Sequence, residues 1–320
     1  MKITILDDYQ NVIENLQCYK LLEGQQVEII HHFEKDVDKL AELLKDMEIV
    51  VLTRERTEVS EALLSKLPKL KLISQTGKIS NHLNLCICTE HKVAVAEGIG
   101  SPVAPSELTW TLILNTIRKV PQAIQAMKEG KWQTNIGRSV HGKTIGIWGY
   151  GKIGQQLAQY AKVFGANVLV WGSENSRAKA VEDGFFSANS KEEFFQSADI
   201  VTVNLRLNKD TYGIVKESDL RHMKPNAVLV NTARAELIEK GALINVLRSG
   251  QQLLVGVDVY EQEPIYDVNH ELLKYDNVVC TPHIGYVEES SYELYFEKAF
   301  ENVINYINGN PSNIANPEVL

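Results

Sequence analysis

The stretch Thr144-Ile145-Gly146-Ile147-Trp148-Gly149-Tyr150-Gly151-Lys152-Ile153-Gly154 constrains the chain more than any other. It reads as a short apolar strand, a G-x-G-x-x-G turn and the start of a helix. That helix carries Ile153, Leu157, Ala158 and Ala161 on one face, which is helical spacing. Phe164-Gly165 closes it, with Gly165 suited to a left-handed C-terminal cap. A β-rich run, Asn167 to Trp171, comes next. Strand, glycine turn, helix and strand in about thirty residues form the βαβ context in which the glycine pattern carries meaning.

The three glycines have separate expected tasks. Gly149 turns the chain sharply, Gly151 lets a pyrophosphate approach the backbone, and Gly154 lets the helix pack closely. The helix N-terminus then offers unpaired N–H groups and a partial positive charge to an anion.

The remaining chain supports an α/β reading. Its 320 residues suffice for about two domains with full cores. The net charge of −8 and pI near 5.6 argue against a phosphate-backbone partner, since nucleic-acid binding needs a basic face, and no nucleic-acid partner is expected. No apolar stretch is long enough to span a bilayer, and the N-terminus lacks the apolar core of a signal peptide, so no membrane partner is expected. The cysteines Cys18, Cys86, Cys88 and Cys280 lack zinc-site spacing; no metal is expected, and reduced thiols point to a cytoplasmic protein.

From the N-terminus, strand-like runs fall at Ile3–Leu6, Val27–Ile30, Ile49–Leu52, Leu70–Ser74 and Val93–Ala96, with helical segments at Asp36–Lys45 and Ser60–Lys66. This alternation predicts a parallel sheet covered by helices, without a phosphate loop after its first strand. Gly98 to Pro105 holds two glycines and two prolines and reads as an inter-domain connection. A helix is expected from Ser106 to about Lys119, ended by Pro121, followed by a polar segment with Trp132. After Trp171, strands are expected at Ile200–Val203, Ala227–Val230, Leu253–Asp258 and Val278–Cys280. Helices are expected near Lys191–Gln196, Glu217–Met223, Glu236–Arg248 and, amphipathic, Glu288–Asn308.

Three of the later strands end in chemically capable groups: Asn231-Thr232-Ala233-Arg234, Asp258 through Glu263-Pro264, and Thr281-Pro282-His283-Ile284-Gly285. Ligands of open parallel sheets bind at the carboxyl ends of strands. Hydride transfer from a hydroxyl-bearing carbon needs a base for the hydroxyl proton, and histidine, titrating near neutrality, serves both directions. A carboxylate on its other ring nitrogen sets the tautomer. A guanidinium grips a substrate carboxylate with two parallel bonds. Arg234, Glu263 and His283 fit these roles. Read singly, they equally fit a surface ion pair, a solvated loop acid and a histidine on a buried carbonyl.

Together with the Gly149–Gly154 loop, these segments resemble the D-isomer-specific 2-hydroxyacid dehydrogenases, most closely the branch like D-3-phosphoglycerate dehydrogenase. The resemblance runs over nearly the whole chain. It implies two parallel-sheet α/β domains of Rossmann and flavodoxin-like type with a cleft between them. Residues 1–100 plus 286–320 would form the substrate-binding domain, and 101–285 the dinucleotide-binding domain. It implies catalytic Arg234, acid–base His283 and supporting Glu263. It places Gly149, Gly151, Lys152, Ile153, Gly154, Ser173, Leu205, Thr232, Ala233, Asp258 and Gly285 at the cofactor, with Lys152 and Ile153 at the pyrophosphate and Asp258 beside the nicotinamide carboxamide. It places Thr76, Gly77 and Lys78, with Arg234, at the substrate, backbone N–H groups of that loop meeting its carboxylate. It further implies a homodimer formed through the nucleotide domain.

Some positions depart from the family pattern. Gly172 stands where an acid commonly holds the adenosine ribose. Glu174 nearby favours NAD, the expected cofactor, whereas Arg177 could meet the 2′-phosphate of NADP. Arg206 stands where proline is common. Lys78, Arg54 and Arg56 are candidate ligands for a substrate phosphate, as in 3-phosphoglycerate and phosphohydroxypyruvate. The same architecture resembles corepressors, so an NAD(H)-binding interaction protein without turnover is the alternative to a dehydrogenase of 2-hydroxy acids.

Overall fold

Short aliphatic runs that are buried at every position, such as Ile49–Leu52 and Ala227–Asn231, need a sheet covered on both faces. The computed structural model describes residues 1–320 and contains two such sheets. They belong to separate units, Met1–Ser101 with Val287–Leu320, and Pro102–Tyr286.

The first unit has strands β1 (Lys2–Ile5), β2 (Gln26–Ile29), β3 (Ile49–Leu52), β4 (Leu72–Gln75) and β5 (Ala94–Ala96). They pair in parallel in the order β2-β1-β3-β4-β5. Helices α1 (Val37–Leu44), α2 (Glu61–Leu64) and α3 (Leu85–Glu90) connect them. Local chemistry sets their starts: Asp36 accepts from the N–H groups of Asp38 and Lys39, Ser60 from Leu63, and Asn84 from Cys86. The third helix, which carries two cysteines, has no expected counterpart in the sequence reading.

The second unit begins with α4 (Val103–Arg118) and α5 (Val120–Lys128). Its core alternates β6 (Thr144–Trp148), α6 (Lys152–Val163), β7 (Asn167–Trp171), α7 (Glu174–Glu182), β8 (Phe186–Ser187), α8 (Lys191–Ser197), β9 (Ile200–Val203), α9 (Glu217–Arg221), β10 (Ala227–Asn231), α10 (Ala242–Arg248), β11 (Leu253–Val257) and β12 (Val278–Cys280). The strands are parallel, in the order β12-β11-β10-β9-β6-β7-β8. Strand alternation divides the core: Leu229 and Val201 pack with Phe194 and Phe195 on one face, Val228 and Ile200 with Ile145 and Leu157 on the other. Sheet order reverses between β6 and β9, and a ligand crevice opens at such a switch point.

Several boundaries differ from the sequence expectation. The long helix starts at Val103, because Pro102 caps it and Pro105 sits in the first turn, where a missing N–H costs nothing. Lys119, left-handed at φ 55°, ends it, and Pro121 opens α5 rather than closing α4. The polar segment with Trp132 therefore follows a second helix. The expected helix Glu236–Arg248 is a short 3-10 turn, Ala235–Leu237, and then α10, separated by Gly241 at φ 77°.

The chain then returns to the first unit through α11 (Glu289–Ile307), whose N-terminus is capped by Glu288 accepting from Ser290 and Ser291. Beyond it, Ile314 bridges Ala96. Asn316, 2% exposed, accepts from Val95 N–H at 2.8 Å and donates to the Val93 carbonyl at 2.9 Å. Asn316→Ala would leave the buried Val95 N–H and Val93 carbonyl without this partner, at about 1–3 kcal/mol. The expected result is a melting temperature lower by a few degrees in calorimetry; an unchanged value would show the tail to be dispensable.

Candidate active site

The glycine loop lies at the switch point. Gly149 has φ 98°, and a Cβ there would meet the Asn204 carbonyl at 2.8 Å and Leu205 at 3.0 Å. A Cβ on Gly154 would fall 2.1 Å from the Gly149 carbonyl oxygen, so α6 packs on its own loop at a distance only glycine permits. Gly151, the N-cap of α6, is different: a Cβ there would meet nothing within 4 Å. That open space beside the unpaired N–H groups of the first helical turn fits a pyrophosphate. Lys152 is exposed and Ile153 partly buried in that turn.

At the end of β7, Gly172 offers no side chain, and Ser173 caps α7 by accepting from Ser176 N–H. Glu174 is exposed at the first helical position. The Arg177 guanidinium lies over the Trp171 ring, 4.9 Å from its centroid. Arg206 is exposed directly after Leu205, and its carbonyl accepts from the Thr211 hydroxyl.

Strands β10, β11 and β12 are neighbours, so their carboxyl ends lie side by side. After β10, buried Asn231 braces the loop, donating to the Arg234 carbonyl at 2.8 Å and accepting from Ala233 N–H at 3.1 Å. Thr232 exchanges a hydroxyl bond with Thr109 at 2.6 Å. Arg234 is partly buried, and its Nη1 donates to the Ala233 carbonyl at 2.5 Å.

After β11, Asp258 is fully buried. Its carboxylate accepts from the Thr281 hydroxyl at 2.7 Å, Ile284 N–H at 2.8 Å and Gly285 N–H at 2.9 Å. Burial pushes this carboxyl above its ordinary range, and the three donors oppose that shift. Asp258 thus binds the loop that carries His283. That histidine sits at φ 52°, left-handed backbone that a non-glycine residue holds only under constraint. Its Nδ1 lies 2.5 Å from Glu263 Oε2, and Glu263 Oε1 accepts from Tyr260 N–H at 2.8 Å. The two side chains are 27% and 30% exposed, open enough for Nε2 to meet a ligand.

In the first unit, Thr76 is buried and its hydroxyl donates to the Leu52 carbonyl. Its N–H is likewise taken, by the same carbonyl at 3.1 Å, so neither group faces a ligand. Ile79 N–H donates to Glu97, which also pairs with Lys78 Nζ at 2.7 Å. The N–H groups of Gly77 and Lys78 meet no acceptor in the chain. Beside Gly77 lies the Arg54 guanidinium, which would occupy the place of any Cβ there. Arg56 is tied to the Asp7 carbonyl, the Tyr292 hydroxyl and the Tyr9 ring.

Sequence patterns pass over two contributors. Tyr260 and Thr281 lie within the segments that follow β11 and β12, but nothing in spacing shows that one supports Glu263 and the other Asp258.

Residues 110–285 match the family described as D-isomer specific 2-hydroxyacid dehydrogenase, NAD binding domain. A glyoxylate reductase of Thermococcus litoralis is 32% identical over 297 residues, 89% of this chain and 86% of that protein. The chain belongs to the D-isomer-specific 2-hydroxyacid dehydrogenases. It is accordingly an NAD(H)-binding oxidoreductase acting on a CH–OH group. A D-3-phosphoglycerate dehydrogenase of Methanocaldococcus jannaschii is 32% identical over 289 residues, 89% of this chain but 53% of that protein. The solved structure of a phosphoglycerate oxidoreductase from Vibrio cholerae superposes with a TM-score of 0.95 at 51% identity, covering 97% of this chain and 99% of that one. No helix is long and apolar enough to cross a membrane.

Gly151 separates folding from cofactor binding. Gly151→Ala meets no atom and needs no unusual backbone, so the variant is expected to melt with the wild type. Its methyl group would enter the space fitted to a pyrophosphate. NADH affinity, measured by fluorescence titration, is expected to fall about tenfold or more, the equivalent of roughly 1.4 kcal/mol.

Proposed function

We propose that this dehydrogenase interconverts a small, unphosphorylated D-2-hydroxy acid and its 2-keto acid, of the glyoxylate or hydroxypyruvate class, using NAD(H). The observation that carries the chemistry is the contact between His283 Nδ1 and Glu263 Oε2 at 2.5 Å. Glu263 holds Nδ1 and so fixes the ring's orientation and tautomer, leaving Nε2 as the atom that exchanges a proton. In reduction Nε2 gives that proton to the carbonyl oxygen as the hydroxyl forms; in oxidation it takes it back. A bound nicotinamide supplies or accepts the hydride. Arg234 anchors the substrate carboxylate through its guanidinium fork, with two parallel N–H donors. The unpaired N–H groups of Gly77 and Lys78 are the donors proposed on the substrate side of the first unit. The remaining cofactor contacts are proposed at Lys152, Ile153, Ser173, Leu205, Thr232, Ala233, Asp258 and Gly285.

Engagement of the cations in the first unit favours an unphosphorylated substrate. Lys78 is paired with Glu97, and Arg56 with Asp7, Tyr292 and Tyr9. Arg54, whose guanidinium lies against Gly77 and 5.5 Å from the centroid of the Tyr295 ring, together with the likeness to a phosphoglycerate oxidoreductase, favours phosphohydroxypyruvate as a second reading. For the cofactor, exposed Glu174 and the seating of Arg177 on Trp171 favour NAD(H) over NADP(H).

The test is oxidation of NADH and NADPH, followed by the loss of reduced-nicotinamide absorbance, with glyoxylate, hydroxypyruvate, phosphohydroxypyruvate and pyruvate. Glyoxylate or hydroxypyruvate with NADH is expected to give the highest kcat/KM. His283→Ala is expected to lower kcat by about a hundredfold to ten-thousandfold. Phosphohydroxypyruvate as best substrate, with KM raised in Arg54→Ala, would install the second reading. No turnover with any acid would leave the NAD(H)-binding interaction protein.

A homodimer through the second unit is also proposed. Met127, Trp132 and Ile136 are 66%, 76% and 89% exposed around the segment after α5, more apolar surface than a lone chain tolerates well. Light scattering is expected to give twice the chain mass of 36.0 kDa, and Ile136→Glu to shift it towards one chain. A wild type that runs as one chain would remove the proposal.

A further inference from the structure

We propose that Tyr260 is a positioning residue for the proton-transferring pair, holding Glu263 and His283 from one side chain and its own backbone. This rests on the acid–base role proposed above for that pair. The backbone N–H of Tyr260 donates to Glu263 Oε1 at 2.8 Å, which leaves Oε2 for the histidine. Its phenol, at the far end of the same residue, donates to the Thr281 carbonyl at 2.9 Å. That carbonyl is also the acceptor of the His283 N–H at 3.0 Å. One residue therefore bonds Glu263 directly and reaches His283 through the Thr281 carbonyl that they share, the two members of the pair coming from loops after different strands.

The need for such a brace lies in the backbone. His283 occupies left-handed φ, 52°, and such a conformation persists only where surrounding bonds over-determine it. Asp258 secures the downstream side, through the N–H groups of Ile284 and Gly285, and reaches upstream only to the Thr281 side chain. The Thr281 carbonyl is held otherwise by the tight bond from His283 itself. Tyr260 is the group from outside the turn that fixes this carbonyl. Burial raises the phenol above its ordinary range, so it remains a donor throughout the working pH span. The titratable groups facing the phenol are Cys280, Asp258 and Glu263, with the His270 ring 5.8 Å from the Tyr260 ring. Those facing His283 are Glu263, Asp258 and Tyr286, whose ring lies 5.7 Å away.

Loosening this brace lets the Nδ1–Oε2 contact lengthen. The carboxylate then favours the charged ring less, and the ring gives up its proton at lower pH. Reduction consumes that proton, so the alkaline limb of its pH profile moves down.

The experiment compares wild type, His283→Ala, Tyr260→Phe, Glu263→Gln and the Tyr260→Phe/Glu263→Gln double variant, with NADH and glyoxylate or hydroxypyruvate as probes. Imidazole NMR titration of His283 in wild type and Tyr260→Phe gives a readout that needs no turnover. Tyr260→Phe is expected to lower kcat about tenfold, with the keto-acid KM and NADH affinity within about twofold of wild type. The alkaline limb and the His283 titration are expected to move down together. In the Glu263→Gln background, adding Tyr260→Phe is expected to cost little further, because residues acting through one contact are not additive. Wild-type kcat and an unshifted limb in Tyr260→Phe, with only a lower melting temperature, would overturn the positioning role. So would full additivity in the double variant. If His283→Ala keeps wild-type turnover, the acid–base reading falls and takes this role with it. If His283→Ala abolishes turnover and Tyr260→Phe changes nothing, the positioning role falls alone.

Discussion

The carboxylate of Asp258 is buried completely, and burying a charge is costly unless donors surround it. Here the donors are the Thr281 hydroxyl and the N–H groups of Ile284 and Gly285. These groups flank His283 in sequence. The energetic need of one acid thus dictates the path of the loop that presents the proposed proton carrier. Remove the carboxylate and the N–H groups of Ile284 and Gly285 lose their acceptor, while His283 loses the restraint on its left-handed backbone.

This arrangement is possible because the three strands concerned are adjacent. Parallel pairing of β10, β11 and β12 brings their carboxyl ends to one edge. Each loop then contributes a different chemical type: a guanidinium, a carboxylate and an imidazole. The sheet supplies rigidity and the loops supply chemistry, which is the division of labour expected of open α/β folds. At the switch point between β6 and β9, the same geometry prepares the other half of the reaction, with an open space at Gly151 and unpaired N–H groups at the start of α6.

Much of the architecture is legible in the residues. The buried runs of β3, β6, β9 and β10 are short, aliphatic and bounded by turn residues, so their type follows from composition and length. Places where the reading slips have identifiable causes. Pro121 looks like a helix terminator, yet proline is equally at home in the first turn of the next helix, and only the left-handed Lys119 tells the two apart. The helix α7 carries a single buried residue, Ala180, so it offers no apolar stripe for a pattern to detect.

What the sequence alone determined is local: which runs are strands, where glycine must stand, and that an arginine, a glutamate and a histidine follow strand ends. Those properties depend on side-chain volume, hydrogen-bonding capacity and neighbours within one turn of chain. Only the tertiary structure decided that Glu263 meets His283, that Asp258 braces the histidine loop, that Tyr260 reaches Thr281, and that Lys78 and Arg56 already have partners. These contacts join residues twenty or more positions apart in most cases. They depend on strand order and register, and no pattern of spacing along the chain encodes which strand end lies beside which.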